Sequence, residues 1–436
     1  MVIKMHLKIN AEWDRLKKVV VHTPGMEMYF GLLDPYSSLY ERAFSQSDAL
    51  REHELLLYTL KHEFKVDVIP LKDTIVSHAE ESTIIREKLV KFAQDMISLN
   101  GNKQEVKQAR EEMNKNKNKL DSDYYFNTVL LNPCIGLESS EGIRMIQLKV
   151  TEREPLSNLY FMRDQQAVTD KGLIISNMSK PQRQRETLLT KFFWEILKKP
   201  IIHEIQTPGT FEGGDFMPMG EFALIGMGDR TNRIGVEQML GHAVGYDEVG
   251  VVHQPSHPLI PGDNRDPMIN MHLDTYFNIV SKEVAVGCEL LLKNTMVEIY
   301  HNSNDGYLKT SEEMNLHDYM LSKDFDIINI TTLEQMAYAS NFLCIRDGTI
   351  LAVEVDRVVK NVLEKLRSKA IAEPHRYKKL FNQAQKDYRE LRLQGQFFPH
   401  KKEIYQHDID AYPLNLVNLT GGYGGAHCMS CALKRG

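Results

Sequence analysis

Short apolar, β-branched runs alternate along this chain with polar turns and longer helix-forming stretches. The first run, in Leu16-Lys-Lys-Val-Val-Val-His-Thr-Pro-Gly25, closes on a Pro-Gly turn and precedes helix formers that continue to about Phe64. It predicts strand, loop, helix. Val66-Asp-Val-Ile-Pro-Leu71 predicts a second short strand, and from Thr74 to about Lys119 the residues are mostly good helix formers. A helical insertion over residues 74–145 is the expectation. Its stretch from Asn102 to Lys119 mixes both charge signs, the pattern of a solvated helix face.

After Ile146 the phrase recurs. Gly172–Ser176 precedes Arg185–Phe193, Phe222–Gly226 precedes Gly235–Leu240, and Thr349–Val353 precedes Val358–Leu366. Degenerate strand-turn-helix repeats imply an α/β fold, and such units can stack as a wound sheet, a barrel or a propeller-like ring. Periodicity does not choose among the three. A charged stretch from Ser368 to Lys402 interrupts the pattern and reads as a surface helical excursion.

Length and composition narrow the function. With 436 residues, 42% hydrophobic and 26% charged positions and a net charge of -6, the chain is built to bury a large core and suits small ligands better than nucleic acid. No apolar run approaches the roughly 18 residues of a membrane span, and the start lacks the apolar core of a secretory signal, so the cytoplasm is the expected compartment. The cysteines, Cys134, Cys288, Cys344, Cys428 and Cys431, are odd in number and scattered, which predicts free thiols. Cys428 and Cys431 form a C-x-x-C, but no second pair completes a zinc site.

The chemistry concentrates in a few motifs. Asn158-Leu-Tyr-Phe-Met-Arg-Asp164 delivers an Arg-Asp pair, and Thr210-Phe-Glu-Gly-Gly-Asp-Phe216 sets two acids around two glycines. If Asn270-Met-His-Leu-Asp-Thr275 is a strand, its period of two puts His272 and Asp274 on one face. Gly226-Met-Gly-Asp-Arg-Thr231 closes a strand with a cation and a flexible turn. Near the C-terminus, Gly421, Gly422, Gly424 and Gly425 can take positive φ and bring the main chain ahead of Cys428 close to a ligand. A thiol, a histidine and three acids, Asp164, Glu212 and Asp274, make a site too acidic for an anionic substrate. A planar guanidinium fits it, because its N–H donors match carboxylates in bidentate pairs.

In this order and spacing, Asn-x-x-Phe-x-Arg-Asp, Phe-Glu-Gly-Gly-Asp, Met-His-Leu-Asp-Thr and Gly-Gly-x-x-Cys-Met-Ser resemble the arginine deiminases of the guanidino-group-modifying superfamily. The resemblance spans nearly the whole chain, including Leu16–Gly25 and Glu52-His53. It implies one α/β pentein domain over residues 1–436, a five-fold pseudosymmetric ring of ββαβ units with a helical insertion. It further implies L-arginine as the guanidino substrate, no cofactor, no metal and a homo-oligomer. Cys428 would attack the guanidinium carbon, Asp164 and Asp274 would grip its nitrogens, Glu212 would steer protons and His272 would serve as acid and then base. Arg183, Arg230 and Asn158 match the positions that hold the α-carboxylate. The chain departs from the family where Tyr423 replaces an arginine of the glycine loop and Met162 a common threonine, and in a longer excursion over 368–402.

Overall fold

The computed structural model describes residues 7–139, 146–262, 266 and 268–436. The end of the expected insertion, residues 140–145, lies outside them. Five sheets share one pairing rule: a middle strand pairs antiparallel with one neighbour and, through a helix-containing crossover, parallel with a strand that follows it. Leu173–Ile175, for example, pairs antiparallel with Gln166–Val168 and parallel with Ile201–Glu204, with the helix Glu186–Ile196 between. The same rule joins Phe216–Met219, Phe222–Met227 and Glu248–His253, then Phe277–Ile279, Val284–Gly287 and Asp326–Asn329, then Leu343–Arg346, Thr349–Val353 and Asp410–Leu414. The fifth sheet joins the chain ends. Its C-terminal strand Cys431–Arg435 is antiparallel to Leu16–Val21, which runs parallel to Asp67–Pro70. The fold is mixed α/β.

The middle strands are continuous apolar runs because both faces are covered. Val19–Val21, Phe222–Ile225 and Thr349–Val353 are buried throughout, as parallel strands flanked by helices must be. The stretch expected to be helical from Thr74 starts earlier, at Leu71, and is divided into Leu71–Glu81, Thr83–Met96, Lys103–Asn116 and Ser122–Leu131. Ser82, extended at φ -136°, ends one helix and caps the next, and Asn102 with Glu105 forms a capping box. A sixth sheet, Ser98–Asn100, Pro133–Ser139 and Ile146–Arg153, completes this region.

The helix expected at Val358–Leu366 runs on into the charged stretch. One helix runs Val355–Ala372, Pro374 starts the second, Pro374–Gln394, and Gly395 ends it in the left-handed conformation. Val358, Val359, Val362 and Leu366 bury one face of the first helix in the core. All five cysteines are free, and no helix among the described residues is long and apolar enough to cross a membrane.

Candidate active site

Turns at strand ends place the chemical groups. His272 is extended and Leu273–Thr275 is a 3₁₀ turn, not the strand expected here, so His272 and Asp274 do not share a face by strand alternation. Both still reach one site, His272 toward Asp164 and Glu212, Asp274 toward Cys428. The paired glycines before Asp215 are required by crowding. A Cβ on Gly213 would lie 2.1 Å from the Arg163 carbonyl, and one on Gly214 would lie 2.9 Å from His272 Nδ1.

The loop before Cys428 differs from the expectation in an informative way. None of its glycines adopts positive φ; Tyr423 does, at 75°. The glycines are needed for close approach to protein, since a Cβ on Gly422 would sit 1.9 Å from the Tyr160 hydroxyl and one on Gly425 2.7 Å from the Asn341 carbonyl.

Cys428 Sγ lies 3.4 Å from Asp274 Oδ2 and accepts from Asn341 Nδ2 at 3.1 Å. Burial, then Asp274 and Asp164, push its thiol well up. His272 Nε2 is 2.9 Å from Glu212 Oε2, and its Nδ1 is 3.7 Å from Asp164 Oδ1. Burial works against the imidazolium, but Asp164, the Glu212 hydrogen bond and Asp215 outweigh it and raise His272 to about 9. For Glu212, burial is likewise outweighed, by Arg230 and His272, which hold it well below the usual carboxylate range. Ser179 donates its amide at 3.0 Å and its hydroxyl at 3.2 Å to Glu212 Oε1. Asp274 is held down by its 2.8 Å contact to His427 Nδ1 and by nearby cations, against the effect of burial.

The two arginines matched to the carboxylate differ sharply. Arg183 is committed: Nη1 donates to Asp164 Oδ2 at 2.6 Å, and Nε and Nη2 donate to Glu186. Arg230, equally buried, has Nη2 against the sulfurs of Met268 and Met271 at 3.7 Å each and Nη1 3.6 Å from Glu212. Its Nε and Nη1 have no hydrogen-bond acceptor among the described residues. Asn158 donates to the Ser38 carbonyl at 2.7 Å, and Tyr423 meets Lys365. Asn158, Asp164, Arg183, Arg230, His272, Tyr423 and Cys428 line one cavity of about 20 Å³, room for roughly one water, so a substrate must displace side chains to enter. A far larger cavity, about 650 Å³ between the helices around Ala93 and Tyr125, contains none of these residues.

Asp164, Glu212 and His272 offer ligand atoms within 4.8 Å of one another. A metal there would require His272 to give up its proton, whereas a guanidinium would not.

Asn341 was not foreseen. Its Oδ1 accepts from the amides of Gly425 at 2.7 Å and Cys428 at 3.1 Å, while Nδ2 donates to Cys428 Sγ, so one side chain fixes the loop and the thiol. No local motif marks it. Glu186 had a signal, its place three residues after Arg183, and His427 stood beside the cysteine.

Fold and site define a class, a mixed α/β protein in which a buried thiol, an imidazole and a carboxylate line one small pocket, with two further carboxylates against the imidazole and the thiol. The family model for arginine deiminase matches residues 37–435, and the chain belongs to the arginine deiminase family. It is 25% identical to the arginine deiminase of Halobacterium salinarum, covering 98% of this chain and 96% of the relative. It is 23% identical to that of Limosilactobacillus reuteri, with 98% of each covered. Among solved structures, DDAH from Pseudomonas aeruginosa complexed with citrulline aligns with a TM-score of 0.47 at 14% identity over 96% of this chain and 99% of that one. A cyanobacterial arginine dihydrolase, ArgZ, aligns at 0.48 and 11% over 97% of this chain and 39% of that one.

Proposed function

We propose that this protein hydrolyses L-arginine to citrulline and ammonia through a covalent bond to Cys428. The observation that carries the reading is one small pocket lined by Cys428, His272 and Asp164, with Glu212 against His272 and Asp274 against Cys428 behind it. Asp164 and Asp274 face the guanidinium, and its charge offsets the two carboxylates that oppose thiolate formation. The thiolate attacks the guanidinium carbon. His272, protonated at neutral pH, gives a proton to the departing nitrogen and ammonia leaves. The neutral imidazole then takes a proton from water as its oxygen bonds to the same carbon, the C–S bond breaks, and citrulline and the thiol are released. Arg230, with unused donors, takes the α-carboxylate, while Arg183 positions Asp164.

A closed five-fold ring belongs to the same reading. It is supported by the pairing rule common to five sheets and by the junction of the last strand with the first. A homo-oligomer in the cytoplasm is the expected form, which light scattering and fractionation check.

The test is a product assay with L-arginine: citrulline and ammonia in equal amounts from wild type, and a loss of roughly 10⁴-fold or more in Cys428→Ala. Equal turnover by wild type and C428A refutes the covalent route. Tyr423 favours one second reading, a dihydrolase, an amidinotransferase or a deiminase of another guanidine, for which the same assay would find ornithine, transfer to an added amine, or ammonia from the other guanidine in place of arginine.

A further inference from the structure

One departure from the family pattern, the tyrosine in the glycine loop, meets a lysine of the helix that leads into the other, the excursion over 368–402. Lys365, on the helix Val355–Ala372, places its ammonium 4.3 Å from the centroid of the Tyr423 ring. It donates to the Tyr423 hydroxyl at 3.2 Å and to Glu41 Oε1 at 2.6 Å. Glu41 also accepts from Arg42 at 2.5 Å and Tyr338 at 3.4 Å. Two cations thus face one carboxylate, leaving a net positive charge. The next lysine along the helix face, Lys369, is balanced by Asp266, so the surplus belongs to the group around Lys365.

Tyr423 connects this charge to the substrate pocket. Its side chain borders both the pocket of Cys428 and a small adjoining cavity lined by Glu41 and Lys365. Since its oxygen accepts from an ammonium, its own proton remains for another acceptor. Tyr423 also holds φ at 75°, a conformation uncommon outside glycine, so the backbone is strained to present this ring.

We propose that Lys365, acting through and beside Tyr423, is the specificity determinant for the far end of the substrate and selects guanidines that carry a carboxylate there. The inference rests on the deiminase reading and deepens it. Arg230 supplies one cation for the carboxylate. The second comes from the helix Val355–Ala372 and is relayed by a tyrosine. Lys365 positions the Tyr423 hydroxyl and adds its charge to the field at the mouth of the pocket.

The test uses the full chain as wild type, Lys365→Met, Lys365→Arg and Tyr423→Phe, each assayed on L-arginine and L-argininamide, which differ only at the carboxylate. K365M should lower the ratio of kcat/KM for arginine to that for the amide by about tenfold, mainly through KM on arginine. K365R should restore most of the ratio, and Y423F should shift it in the same direction as K365M. Thermal unfolding of each variant separates misfolding from recognition. A ratio unchanged in both K365M and Y423F, or equal losses on both substrates, overturns the proposal while leaving the deiminase reading in place. Wild type that turns over neither guanidine overturns the deiminase reading, and this inference with it.

Discussion

The two ends of the pocket are built on opposite principles. At the thiol end, nearly every charged group has its partner within the protein: Asp164 with Arg183, Glu212 with His272 and Ser179, Asp274 with His427. Toward the other end, Arg230 faces Glu212 at 3.6 Å but leaves Nε and Nη1 without a hydrogen-bond acceptor among the described residues and rests against two methionine sulfurs, while a lysine from a distant helix leans on Tyr423. A paired network holds reacting groups at fixed distances, as bond-breaking geometry demands. Unspent donors beside polarizable side chains leave that end ready to take an anion.

The largest test of this contrast is His272→Asn, which should lower kcat by about 10² to 10⁴ with a smaller change in KM, measured by citrulline release. Retained kcat would mean that the paired end is structural. Next, Arg183→Met and Arg230→Met should separate. R183M leaves Asp164 and Glu186 buried without their cation and should cost about 3 kcal/mol in denaturant unfolding. R230M should instead act mainly on KM for L-arginine, raising it by roughly 10²-fold. If both behave alike, the distinction between spent and unspent arginines fails. Asn341→Ala should reduce kcat by about tenfold, since it frees the loop and removes a donor from Sγ, and alkylation of Cys428 reads the same loss. Asn341→Asp, which keeps the acceptor but not the donor, apportions the two.

The smallest expected effect is in pH. His272, raised above its ordinary value to about 9, stays an imidazolium through neutral pH, so its role as acid is lost as pH rises through that value. kcat/KM should fall on that limb. Glu212→Gln removes an acceptor and a charge that favour the imidazolium, so the His272 titration should move to lower pH, observable by NMR of its ring nitrogens.

Much of the site was legible because its motifs are local. Asp164, Glu212 and His272 stand in short stretches whose glycines and turns aim them, and the Cys428 loop carries its own glycines. The stated reason for those glycines was only half correct: they avoid collisions with Tyr160 and Asn341, and the positive φ falls on Tyr423. The expected strand at His272 is a 3₁₀ turn, because a period of two can be read into any His-x-Asp. In the fold, the apolar runs 172–176, 222–226 and 349–353 marked strands, since both faces of those strands are buried. The helix expected over 358–366 runs Val355–Ala372, with Val358, Val359, Val362 and Leu366 in the core.

By itself, the sequence determined which side chains could do chemistry on a guanidinium, the α/β repeat and the absence of an arginine at position 423. Only the tertiary structure decided that Arg183 has acceptors for its donors where Arg230 Nε and Nη1 have none among the described residues, that Asn341 holds the Cys428 thiol, and that Lys365 stands behind Tyr423. The reason is physical. A residue's type sets its charge and donors, but whether those donors are used depends on partners brought within about 3 Å by folding. For Asn341 and Cys428 those partners lie 87 positions apart along the chain, and for Lys365 and Glu41 they lie 324 apart.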